Sequence, residues 1–103
     1  HPDFIMWIVK DDVQKICFID PHGLIHEDPN STKLQFYKTV KEIEERLNDD
    51  TVLLDSYILS PTPHQNLNVT SWGTEEVLMK GHVLFMDNTK YIETLLKQLV
   101  VNW

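Results

Sequence analysis

Asp3, Asp20 and His22 are the residues of this chain whose types and spacing admit chemistry. Asp3 opens the apolar run DFIMWIV at 3–9. Asp20 closes the run KICFID at 15–20, and Pro21 and His22 follow it. The polar link KDDVQ at 10–14 is short enough to fold the two runs into an antiparallel hairpin. A turn centred on Asp11 and Asp12 sets Asp3 directly across from Asp20. Facing side chains project to one side of the sheet, with Cβ atoms about 5 Å apart. Side chains alternate along a strand, so His22 shares that side if the strand runs on through Pro21. The same register sets His1 opposite His22. Two carboxylates this close repel one another, and a divalent cation reverses the penalty. Mg²⁺ and Mn²⁺ take oxygen ligands, often one or two carboxylates together with substrate phosphate. Such a site activates water and neutralises charge on a phosphodiester under attack. Register decides the matter, because a slip of one residue sends the acids to opposite faces. The bland alternative is that Asp-Pro at a strand end is ordinary turn vocabulary.

The elements that must position these residues follow from pattern. The 3–9 run is aromatic and β-branched, and reads as a strand buried on both faces. PHGLIHEDPN at 21–30 is a loop, carrying Pro, Gly and Asn. Phe36, Val40, Ile43 and Leu47 recur at helical spacing within 31–50, with Leu34 and Tyr37 widening the stripe. Asn30 or Ser31 is the expected cap of that helix, and Glu42 with Arg46 an i,i+4 pair. TVLLDSYILS at 51–60 reads as a third strand, and 61–73 as a long polar loop. TEEVLMK at 74–80 makes two helical turns, capped by Thr74 and stopped by Gly81. HVLFMD at 82–87 is a fourth strand, and 88–102 a last amphipathic helix with Ile92, Leu95, Leu96 and Leu99 inward. The order β-β-α-β-(α)-β-α predicts an α/β domain with a mixed sheet flanked by helices.

The chain of 103 residues suits one domain. Its start at His1, already close to a strand, suggests a C-terminal fragment of a larger multidomain protein. The net charge of −7 argues against a module that coats nucleic acid, which needs a basic face. It leaves room for an enzyme that cuts nucleic acid around an acidic metal site. The sequence has no apolar run of membrane-spanning length. The one cysteine, Cys17, sits in an apolar strand, as expected of a reducing cytoplasm.

PDF opening one strand and FIDPHG closing the next resemble the PD-(D/E)XK nucleases. The longer wording, PDFIMWI, ICFIDPHG and HVLFMDNTKYIETLL in that order, looks like the C-terminal nuclease part of type III restriction Res-like subunits, which are DEAD/DEAH helicase-nucleases. The resemblance covers residue 2 to about 97. It implies a restriction-endonuclease-like fold that here lacks the first helix and strand. It implies a Mg²⁺- or Mn²⁺-dependent deoxyribonuclease acting on double-stranded DNA. ATP would enter only through absent helicase domains, and a modification subunit is an implied partner. Residue by residue, Asp3 matches the first metal-binding acid and Asp20 the second. The Pro21 backbone carbonyl is a further implied ligand. His22 stands where the family has lysine, and would polarise or deprotonate the attacking water. Histidine lacks lysine's fixed charge near neutral pH. The second expectation is therefore a catalytically inactive copy of the fold that docks other proteins.

The remaining polar residues read more plainly. His26, Glu27 and Asp28 are taken as loop polarity near the site, and Glu44 and Glu45 as a solvated face. Gln35 and Tyr37 are weaker site candidates. Trp7 and Phe18 are expected in the core, and Trp72 as a cap on it. His64 and His82 lie far from the hairpin in sequence. Metalloprotease, zinc-ribbon, phosphate-loop and serine-hydrolase patterns are all missing.

Overall fold

The structure, a computed structural model, describes residues 4–24, 27–32, 34–87 and 89–100. Strands β1 (Phe4–Lys10) and β2 (Val13–Pro21) form an antiparallel pair in which Lys10 faces Val13 and Phe4 faces Ile19. Only Asp11 and Asp12 remain between them, with φ of 52° and 67°. Positive φ at both central residues is the two-residue hairpin turn whose twist matches that of the strands. Helix α1 (Phe36–Leu47) then crosses over, and β3 (Val52–Ser60) lies parallel to β2, with Ile58 beside Asp20. Two short helices, α2 (Val69–Trp72) and α3 (Glu75–Lys80), lead to β4 (Val83–Phe85), which is parallel to β3. Helix α4 (Tyr91–Val100) follows. The fold is α/β: a mixed four-stranded sheet in the order β1-β2-β3-β4, flanked by helices. No helix among the described residues is long and apolar enough to cross a membrane.

Alternation along β2 and β3 divides the buried residues between two cores. Cys17, Ile19, Tyr57 and Leu59 pack with Leu84 of β4 and with Leu95 and Leu99 of α4. Ile58, Val83 and Phe85 point the other way, onto Leu24, Leu34, Trp72 and Leu78. Phe18 meets Phe36 of α1 edge-on, at 6.2 Å between ring centroids.

Several expectations give way. The first strand is not buried on both faces: Trp7 is 63% exposed and Val9 65%. It is the edge strand of the sheet, so its apolar character reports pairing with β2 rather than enclosure. Helix α1 starts at Phe36, not at residue 31. Ser31 Oγ accepts from the Leu34 N–H at 3.4 Å and Ser31 O from the Gln35 N–H at 3.1 Å, so the chain turns before the helix begins. Of its stripe Val40 is buried, while Ile43 and Leu47 are exposed. In α4, Leu95 and Leu99 face inward and Ile92 and Leu96 do not. The Asn68 side chain caps α2 inside a stretch that pattern assigns to loop. Thr74 caps α3 as expected, accepting from the Val77 N–H.

Candidate functional site

The hairpin register is the one that sequence reasoning requires, and it carries Asp20 onto the α1 face of the sheet, in line with Phe18. Asp3 and His1 lie outside the described residues, as does His26. Asp20 is half-buried and sits at the last turn of side chains before β2 ends. Pro21 closes the strand, opposite Leu59 of β3. The His22 N–H donates to Leu59 O at 3.0 Å, which extends the ladder one residue past the proline.

The His22 side chain is held by Glu27, with Nε2 2.6 Å from Oε1. Glu27, taken from pattern as loop polarity, is thus bonded to one of the candidate residues. A carboxylate only accepts, so in the neutral ring the proton sits on Nε2 and the lone pair on Nδ1. Around them the loop is tied down locally. Asp28 Oδ1 accepts from the Asn30 N–H at 2.7 Å. The Gln35 side chain donates to Pro29 O at 2.9 Å, so it braces the loop rather than reaching into the site. The Leu24 N–H donates to Thr62 Oγ1, joining the end of the β2 strand to the loop after β3.

A cavity of about 330 Å³ opens beside Asp20. Phe18, Leu34, Phe36, Tyr37 and Ile58 give it aromatic and aliphatic walls. Asp20, Thr32, Ser56 and His82 supply its polar groups. His82, remote from the hairpin in sequence, reaches the same cavity because β4 pairs with β3 starting at Ile58 and Val83.

His82 is the centre of a second constellation that pattern reading misses. Its Nδ1 lies 2.9 Å from Asp55 Oδ1 and 2.9 Å from Ser56 O. Its ring is stacked between Tyr57, at 4.4 Å and 11°, and Tyr37, at 4.8 Å and 23°. Asp55 is 6% exposed. Burial pushes its carboxyl upward, but the His82 hydrogen bond and charge, then Lys41 and the Ser56 N–H, outweigh that and hold it below the ordinary carboxylate value. The Tyr57 hydroxyl donates to Gln98 Oε1 at 2.6 Å, and burial, aided by Asp55, raises its pKa. Burial and the same Asp55 charge push the Cys17 thiol up to about 12, against the pull of Lys15 and Lys41, which excludes it as a nucleophile at neutral pH. One signal was available in the sequence: an aspartate inside VLLDSYIL must find a partner if that strand is buried.

Other residues serve the scaffold. Glu44, taken from pattern as solvated, accepts from the Leu54 N–H and ties α1 to β3. Lys15 is buried and donates to Leu99 O at 3.1 Å, a cation at the C-terminal end of α4. The His64 ring pairs with Gly73 O at 2.9 Å. Trp72 is 9% exposed and covers the second core. Among the described residues no group of three or more His, Cys, Asp or Glu side chains converges as a metal site. Comparison of the chain with known protein families, with curated proteins and with solved structures finds no match.

Proposed function

We propose that the open end of the β1–β2 hairpin is the metal site of a DNA endonuclease, of the kind carried by restriction-type helicase-nucleases. The observation that carries this reading is the register. Phe4 faces Ile19, which is the register that the sequence expectation of Asp3 opposite Asp20 requires, while Asp3 itself lies outside the described residues. Asp20 supplies one carboxylate and Glu27 another close to His22. These donors suit a hard cation in kind, and the proposal needs Asp3 to complete the set. When bound, Mg²⁺ or Mn²⁺ would lower the pKa of a bound water and offset charge at the phosphate.

This chain's own residues would do the rest. Asp20 positions the cation, helped by the Pro21 carbonyl. Glu27 orients the His22 ring, which would serve as the base toward the attacking water. His22 in place of lysine then acts as a base, not as a fixed positive charge. Double-stranded DNA as substrate, and helicase domains and a modification subunit as partners, rest on the resemblance of PDF and FIDPHG to that family. The test is cleavage of supercoiled plasmid with Mg²⁺ or Mn²⁺ by the wild type, Asp3→Ala and Asp20→Ala. Metal-dependent nicking that both substitutions abolish supports the reading; nicking that persists at the wild-type rate in either variant refutes it.

One observation favours the non-catalytic alternative. Edge strand β1 presents Phe4, Ile5, Trp7 and Val9 to solvent, each at least 60% exposed. An uncovered apolar edge is what a docking module would offer. A chain that binds no cation yet keeps this fold would be read that way.

A further inference from the structure

The cavity between α1 and the sheet has its own polar anchor, distinct from the proposed metal ligands. His82 Nδ1 stands 2.9 Å from each of two groups, the Asp55 carboxylate and the Ser56 carbonyl. Both are acceptors in that geometry, so Nδ1 carries the hydrogen and Nε2 holds the lone pair of the neutral ring. No described residue makes a hydrogen bond to Nε2. Tyr37 and Tyr57 cover the two faces of the imidazole, which leaves its edge as the part a ligand can meet. The backbone at His82 is left-handed, with φ of 65°. A side chain held in that region by its surroundings is a reason to look for function.

The ligand's chemistry follows from the lining. The walls are aromatic and aliphatic, with Phe18, Phe36 and Tyr37 among them. A volume of about 330 Å³ is at the small end for ligand pockets. That admits one or two fused rings. Asp20 at the same cavity disfavours an anion. We infer that this cavity binds a flat, uncharged heteroaromatic ring of nucleobase type, with a ring or exocyclic N–H donating to His82 Nε2. The inference goes beyond the metal reading and needs no cation.

The probe is 2-aminopurine riboside, followed by its own fluorescence beyond the tryptophan band, in buffer with excess chelator. Without metal, the result is independent of whether Asp20 holds a cation. Saturable quenching is expected for the wild type. His82→Asn keeps a side chain that tolerates left-handed backbone and removes Nε2, and should weaken binding about tenfold. Thr32→Trp, at an exposed position on the cavity rim, should block binding while leaving both cores untouched. The inference is overturned if the wild type shows no saturable quenching. It is equally overturned if Thr32→Trp, or a folded His82→Asn protein, binds as tightly as the wild type.

Discussion

Asp55 and His82 are bonded to each other at 2.9 Å, tying the middle of β3 to the residue that enters β4. The bond joins a 6%-exposed carboxylate to an imidazole that also meets the backbone at Ser56. It therefore fixes the approach of β4 to the sheet and the shape of the cavity beside it.

The folded protein holds the Asp55 carboxyl below its ordinary value of 3.8. Its ionised form therefore stabilises the fold at pH values above that point, and the contribution fades as acid protonates it. Asp55→Asn keeps an acceptor but no charge, and should cost about 1–2 kcal/mol near neutral pH. Urea midpoints measured from pH 7 down to pH 3 should show the gap between wild type and variant closing with acid. A gap constant over that range would mean that the charge contributes nothing.

Asp11 and Asp12 both occupy left-handed backbone, with φ of 52° and 67°. A residue with a Cβ pays for that region, and Asn followed by Gly is the pair that fits it best. The double change Asp11→Asn, Asp12→Gly should stabilise the protein by about 0.5–1 kcal/mol and leave the register intact. Thermal unfolding measures the gain. A loss of stability would show that the charges at the turn matter more than its dihedral angles.

Trp7 is 63% exposed on the edge strand. Trp7→Lys should change unfolding free energy by less than about 0.5 kcal/mol, and should suppress self-association at high concentration by charging the edge. Light scattering and a denaturant titration check both halves. A large destabilisation would place Trp7 in a packed environment instead.

The hairpin was legible because its register depends only on a two-residue polar link between two apolar runs. Phe4 opposite Ile19 and Lys10 opposite Val13 follow from that link alone. The α/β order was legible for a similar reason, since periodicity separates Val40 and Leu95 from the strands around them. Burial was not. Whether Trp7 is inside or outside depends on which strand ends the sheet, and strand order is a property of the whole chain. The pairing of Asp55 with His82 was hidden for the same cause: only the β3–β4 ladder brings them together. Glu27 reaches His22 through a loop whose path no local pattern specifies.

The central claim is that Asp20 helps to hold a divalent cation at the end of the hairpin. Isothermal calorimetry with Mn²⁺ tests it on wild type and Asp20→Asn side by side. The account predicts saturable binding to the wild type, weakened about tenfold or more in Asp20→Asn. Absence of binding to the wild type, or equal binding to both proteins, would contradict it.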